Sequence, residues 1–256
     1  MGHTLRILSA NLLNGAADPN TFAELVSALE VDVVAVQEIA PNQAEALSGI
    51  LPCGEIAASN DFHGMGIALR RPAEISRLPL GFRDAHVARL GPADWPDLAI
   101  PVEIVNVHIA APHISPPGSG FFRRRQQIHL LEAYLINGVD GIDRVNGEEC
   151  FDHSQGGGHR PAQVLIGDFN ATPVWPLYRR ISSHLTDAAC AAAAKRAGTL
   201  GATWGPWPGA PKLLRIDHGF VRGLDVEEFQ VVDIPGSDHS AIVMDLVLKP
   251  PARRID

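Results

Sequence analysis

Five places in this 256-residue chain set a carboxylate, carboxamide or imidazole against an apolar run. Asn11 follows Leu5–Ala10, Glu38 follows Val31–Val36 after one glutamine, and His108 follows Ile100–Val107. Asp168 and Asn170 follow Val164–Gly167, and Asp238 with His239 stand just before Ala241–Leu248. A polar residue where a strand ends is ordinary, because chains turn there. Five such ends, all carrying hard-ligand or acid–base groups, are harder to attribute to turns. If the fold gathers them, they form a carboxylate-rich pocket suited to a hard divalent cation.

The segments that must position these residues alternate between strand and helix patterns. The apolar runs just named read as strands, Val31–Val36 as a β-branched buried one. Gly66–Leu69 and Arg215–Val221 are further strand candidates. Phe22, Leu25, Val26 and Leu29 recur at helical spacing, with Thr21 and Glu24 offering a capping box. Phe121–Ile136 also reads as a helix, with Ile128, Leu131 and Leu135 on one face. Between Asn137 and Arg160 the pattern breaks into Gly, Asp and His, which reads as a loop insertion. Residues 250–256 read as a tail. No linker divides the chain, so a single domain over 1–256 is expected.

Composition narrows the partners. Hydrophobic residues make up 46% of the chain and charged residues 20%, a mix that supports a large core. The formal net charge is -8, and Lys195, Lys212 and Lys249 are the only lysines. Broad binding of nucleic acid through many phosphates is therefore disfavoured. Cys53, Cys150 and Cys190 show no CxxC spacing and no disulfide framework. With no signal-peptide pattern and no apolar run of membrane length, a cytoplasmic protein is expected, and a monomer is the default.

Six short motifs, in this order, carry a resemblance: Leu8-Ser9-Ala10-Asn11, Val36-Gln37-Glu38, Val105-Asn106-Val107-His108, Ile166-Gly167-Asp168-Phe169-Asn170, Arg215-Ile216-Asp217-His218 and Gly236-Ser237-Asp238-His239-Ser240. Together they resemble the signature of the endonuclease/exonuclease/phosphatase superfamily, with DNase I-like nucleases at one end and small bacterial phosphatases at the other. GDFN and SDH are the most specific elements. Weaker matches lie at Gly64–Arg71, at Arg124–Gln127 and at Thr203-Trp204. The resemblance implies an α/β fold, a four-layer sandwich of two packed, mostly antiparallel sheets flanked by helices.

It also implies roles. Glu38, Asn11 and Asp238 correspond to the metal region, Asn11 either as a ligand or as the group that orients a metal-bound water. Asp168 corresponds to the group that activates the attacking water, Asn170 to a donor to a phosphoryl oxygen, and His108 and His239 to phosphate-contacting histidines. Asp217 corresponds to the acceptor for the other ring nitrogen of His239. His218 stands where many members carry tyrosine, so its role is open. An all-oxygen ligand set favours Mg²⁺ or Mn²⁺ over zinc. The reaction implied is metal-dependent hydrolysis of a phosphoric ester, on a small phosphorylated substrate. A nuclease is one alternative, and a non-hydrolytic or non-catalytic binding role of the same cup is another. Arg123, Arg124 and Arg125 read as a solvated helix start rather than a phosphate-approach patch. His113, His153 and His159 read as surface histidines.

Overall fold

The computed structural model describes residues 4–113, 119–138, 162–196 and 200–248. Most of the 137–160 insertion, with His153 and His159, lies outside the described residues, as does the 250–256 tail. The chain runs through β1 (Leu5–Asn11), α1 (Pro19–Ala28), β2 (Val33–Gln37), α2 (Pro41–Ser48), β3 (Cys53–Ala57), β4 (Met65–Leu69), β5 (Glu74–Leu78), β6 (Ala85–Leu90) and β7 (Val102–His108). It continues through α3 (Ser119–Asn137), β8 (Ala162–Asp168), α4 (Pro176–Ser182), β9 (Thr186–Asp187), α5 (Ala188–Arg196), β10 (Asp217–Arg222), β11 (Leu224–Asp233) and β12 (Ser240–Leu248).

Two six-stranded sheets result, one ordered β11-β12-β1-β2-β4-β3 and the other β5-β6-β7-β8-β10-β9. Every pairing is antiparallel except β1 with β2 and β7 with β8, the central pair of each sheet. The expected four-layer α/β sandwich is the observed fold.

Side-chain alternation along each strand builds the layers. Leu5 and Ile7 of β1, Val33 and Ala35 of β2, Ile104 of β7 and Val164 and Ile166 of β8 face inward and form the core between the sheets. Leu8, Ala10, Val34 and Val36 face outward onto α1, where Phe22 and Val26 meet them. Val105, Val107 and Leu165 face outward onto α3, through Ile128, Leu131 and Leu135. These central strands are therefore buried on both faces, which is why they read as continuous apolar runs.

The inward rows change character at one end. After Leu5 and Ile7 come Ser9 and Asn11, after Val33 and Ala35 comes Gln37, and after Ile104 come Asn106 and His108. After Val164 and Ile166 comes Asp168. The inter-sheet core thus turns polar at the carboxyl ends of both parallel pairs. There Gln37 Nε2 donates to Asn106 Oδ1 at 2.7 Å, and Asn106 Nδ2 donates to the carbonyls of Gly66 and Val36 at 2.8 and 3.0 Å. Those bonds stitch the sheets together beneath the polar end, satisfying amides that would otherwise be costly to bury.

Two local expectations are corrected. Helix α1 is capped by Asp18, whose Oδ1 accepts from Thr21 N at 2.8 Å, not by a Thr21–Glu24 box. Pro19 explains the shift, since proline is tolerated in the first helical turn and fixes the start there. Arg124 is not on a solvated helix start. It is 4% exposed, and its Nη1 donates to the carbonyls of Ala110 at 2.8 Å and Asn170 at 3.0 Å.

Candidate active site

Glu38, directly after β2, has φ of 55°, and Asn170, two residues after β8, has φ of 49°. Both are turned sharply as their strands end, so Asp168 and Asn170 are not aligned by extended backbone. A side-chain turn joins them instead. Asn170 N donates to Asp168 Oδ1 at 2.7 Å and Asn170 Nδ2 to Asp168 Oδ2 at 3.1 Å, with Ile109 O as a second acceptor at 3.0 Å. Gly167 makes the approach of β8 to β7 possible. It has φ of 139°, and a Cβ there would lie 2.0 Å from Val107 O. No other residue fits that place.

Asp168 Oδ2 is the point of convergence. Asn11 Nδ2 reaches it at 3.2 Å and Glu38 Oε1 at 3.1 Å, so one carboxamide bridges two carboxylates. His108 Nε2 lies 3.5 Å from Asp168 Oδ2 and 3.7 Å from Glu38 Oε1, and His239 Nε2 lies 3.9 Å from Asp168 Oδ2. His239 Nδ1 bonds Asp217 Oδ2 at 2.9 Å, while its Nε2 is 3.9 Å from Asp238 Oδ1. Asn11, Glu38, His108, Asp168, Asn170, Asp217, Asp238 and His239 are thereby one connected set with no link above 3.9 Å. The structure brings all eight expected residues together. His113 is exposed and takes no part in these contacts.

Supporting residues come from motifs and loops alike. Ser237 Oγ donates to Asn11 O at 2.8 Å and accepts from His239 N at 3.1 Å. Trp204 Nε1 donates to Asp238 Oδ2 at 3.0 Å, and Thr203 Oγ1 accepts from Asp217 N at 3.1 Å. Arg83 escaped the sequence reading, for no periodicity or motif marks it. It is 8% exposed, and Nη1 approaches His108 O at 3.4 Å.

The electrostatics follow from crowding carboxylates where water is scarce. Burial, with the nearby Asp217, pushes Asp168 up to about 7. Burial also raises Glu38, although the Asn11 hydrogen bond opposes it. For His239, burial disfavours the charged ring, but Asp217, Asp168 and Asp238 outweigh it and push the imidazole to about 10. His108 goes the other way, held well below the usual histidine range by burial, Arg83 and His239. The site thus pairs one imidazolium with one neutral imidazole.

Such a site suits a cation. The ligand atoms of Asp168, Asp217 and His239 lie within 4.8 Å of one another, close enough to hold a metal ion. In that trio, however, Asp217 already binds His239 Nδ1, so its oxygen is better occupied as a hydrogen-bond acceptor. Among the described residues Asp238 Oδ1 is buried without a hydrogen-bond partner, and Glu38 stands nearby with its ionisation disfavoured. A hard cation near these two carboxylates would resolve both defects. Asn11 Oδ1 accepts from Leu13 N at 3.0 Å, which turns its Nδ2 toward Glu38 and Asp168.

Proteins of known structure share this architecture. An endonuclease/exonuclease/phosphatase from Bacteroides vulgatus superposes with a TM-score of 0.66 at 19% identity, covering 96% of this chain and 100% of its own. The mannosyl-6-phosphatase Bt3783 from Bacteroides thetaiotaomicron gives 0.68 at 18% identity, covering 95% and 100%. TDP2 from Caenorhabditis elegans gives 0.65 at 15% identity, covering 96% and 75%. No curated protein matches the chain by sequence. The model of the Endonuclease/Exonuclease/phosphatase family matches residues 8–144 and 150–239, a span that contains every residue of the site just described. The chain belongs to the endonuclease/exonuclease/phosphatase family.

Proposed function

We propose that this protein is a divalent-metal-dependent phosphoesterase that hydrolyses a small phosphorylated substrate. The observation that carries this reading is the convergence of Asn11, His108, Asn170 and His239 on one buried carboxylate, Asp168, at 3.1 to 3.9 Å. Glu38 and Asp238 would hold the ion, with Asn11 fixing the Glu38 carboxylate through its Nδ2. Mg²⁺ or Mn²⁺, when bound, supplies neutralising charge to the nonbridging phosphoryl oxygens.

The chain's own residues carry the proton and the orientation. Asp168 takes a proton from the water whose oxygen attacks phosphorus in line with the leaving oxygen. Its raised pKa, about 7, suits a base working near neutrality. The new P–O bond forms as the ester P–O bond breaks; the leaving oxygen takes its proton from solvent water, and Asp168 returns its proton to solvent. His239 offers a charged Nε2–H to the phosphoryl oxygen, while Asp217 holds Nδ1. His108, neutral, donates to another oxygen, and Asn170 Nδ2 does so by exchanging its bond to Asp168 for one to the substrate.

Support for a small substrate comes from the basic residues. Lys195 is engaged with Val226 O at 2.7 Å and Glu227 at 3.3 Å, and Lys212 with Asp238 O at 2.8 Å. The C. elegans TDP2 and Bacteroides mannosyl-6-phosphatase likenesses leave substrate choice to experiment. Turnover of sugar phosphates, nucleotides, bis-p-nitrophenyl phosphate and plasmid should be compared with Mg²⁺, Mn²⁺ and chelator. Asp168→Asn should lower turnover by at least ~10²-fold while keeping the circular dichroism of wild type. Metal-independent activity, or near-normal turnover of Asp168→Asn, would defeat the reading.

A further inference from the structure

His218 is fully buried at 0% exposure on the outer face of β10, among Phe169, Tyr178 and Phe220 at ring-centroid distances of 5.5, 5.1 and 5.6 Å. Its Nε2 lies 2.7 Å from Ala171 O. A carbonyl only accepts, so Nε2 carries the ring proton and Nδ1 is bare. Among the described residues Nδ1 is buried without a hydrogen-bond partner, and Asp187 Oδ2, itself an acceptor engaged by Tyr178 and Arg215, stands 3.9 Å away. The pocket therefore fixes one tautomer. The ring's one donated bond goes to the turn that carries Asn170.

That turn is gripped on both sides of Asn170. Phe169 N donates to Ile216 O at 3.0 Å, and Ala171 O accepts from His218. From beneath, Arg124 donates to Asn170 O at 3.0 Å. Asn170 itself has a left-handed backbone, with φ of 49°, a conformation that persists only when its surroundings hold it. Neighbouring residues of β10 divide the work. Asp217 faces inward and orients His239, while His218 faces outward and holds the turn bearing Asn170.

We propose that His218 is a positioning residue for Asn170, acting through the Nε2–H···O=C bond to Ala171. The proposal rests on the role given above to Asn170. It also gives a physical task to the histidine that stands where the family resemblance anticipates tyrosine.

The test is a kinetic double-mutant cycle with a tautomer measurement on the unmodified protein. His218→Phe keeps a ring in the aromatic pocket and removes the bond. It should lower kcat on the order of 10-fold with KM within about 2-fold, as misplacement of a reacting-site group does. His218→Gln, which keeps an N–H donor, should recover most of that loss. In an Asn170→Ala background, His218→Phe should cost less than about 2-fold, because the group it positions is gone. An equal cost in both backgrounds would overturn the positioning role. Wild-type kcat in Asn170→Ala alone would instead overturn the role of Asn170, the reading on which this one stands. Long-range ¹H–¹⁵N spectra of the wild-type protein should show His218 as the neutral Nε2–H tautomer; an Nδ1–H ring would overturn the proposal without any variant.

Discussion

His239 and Asp217 meet across the seam between the sheets, Nδ1 to Oδ2 at 2.9 Å and Nδ1 to Oδ1 at 3.2 Å, both side chains buried. His239 precedes β12 of one sheet and Asp217 opens β10 of the other. The pair therefore ties the layers together and fixes which ring nitrogen faces the site. With Nδ1–H directed at Asp217, Nε2 faces Asp168 and Asp238, each at 3.9 Å. The same geometry underlies the high pKa of His239, about 10.

Asp217→Asn should thus act through proton occupancy rather than through the fold. Removing one of the carboxylates that hold the imidazolium lowers the His239 pKa from about 10 toward the ordinary 6.5. The sign is that the charged ring is lost on the alkaline side. Turnover at pH 8 should fall at least ~10²-fold, and part of it should return as the pH is lowered. A pH profile of kcat for both proteins checks this. A uniform loss at every pH would mean that Asp217 does not govern the charge of His239.

Glu38→Gln separates metal binding from stability. The carboxylate is raised by burial, so the native state binds its proton more tightly than the unfolded chain does. Ionised Glu38 consequently costs the metal-free fold stability as pH rises above its ordinary pKa. Glutamine still accepts from Asn11 Nδ2 and removes that cost. The metal-free variant should melt at a higher temperature than metal-free wild type at pH 7, and the difference should close as the pH falls toward the ordinary carboxylate range. Added Mg²⁺ should stabilise wild type and leave the variant unchanged. Unaltered Mg²⁺ affinity by calorimetry would remove Glu38 from the ligand set.

Seven of the eight site residues were legible because they stand at the edge of an apolar run, and Asp217 through the family resemblance alone. A polar group at the end of such a strand lies inward, next to the opposite sheet, and has little else to do than meet its counterparts. Gly167, through its φ of 139° and the 2.0 Å approach a Cβ would make to Val107 O, shows why the same reading works on backbone positions. Elements without that contrast stayed hidden. β5 has three exposed residues of five and β11 only two fully buried of ten, so neither shows a usable alternation. α2 is eight residues long with two buried, too little for a helical stripe. Arg83 and Arg124 were missed because sequence marks arginine as a surface residue, whereas here carbonyls and aromatic rings receive them in the interior. Arg124 lies over Trp175 at 5.0 Å and Arg83 over Phe82 at 5.1 Å.

Protonation of the buried neutral histidines should cost the fold stability well above the usual carboxylate range. An opposing gain comes from Asp168 and Glu38, whose raised pKa values favour the native state in acid. His218 is driven down to about 4, first by burial and then by Arg215, and His86 is lowered by burial and Arg77. The unfolded chain protonates these rings near 6.5, whereas the native state resists. Their neutral form is fully expressed above pH 6.5, and each ring costs stability as the pH falls below it; for His218 the cost runs on toward pH 4 at about 1.4 kcal/mol per pH unit. Urea midpoints at pH 7 and 5 measure the slope. His218→Phe should flatten it; an unchanged slope would mean that His218 is not held neutral.

Catalysis should be only weakly sensitive to salt. A duplex held through six to ten phosphates loses roughly 10³–10⁵ in affinity between about 50 and 200 mM salt, because each contact releases counterions. Such contacts need free cations on one face, and this chain carries a net charge of -8 with three lysines. Two of those lysines are engaged with backbone carbonyls, and Arg124 is spent beneath the Asp168–Asn170 turn. Arg123 lies over Phe82 at 4.3 Å, and Arg125 is exposed, which leaves few charges near the turn among the described residues. The value of kcat/KM for a small phosphate ester should therefore change by less than about 3-fold across that salt range, since one phosphate makes one or two such contacts. Plasmid should be nicked far more slowly than the best small ester at 150 mM salt. Efficient nicking that collapses as salt rises would reverse the assignment and make the protein a nuclease.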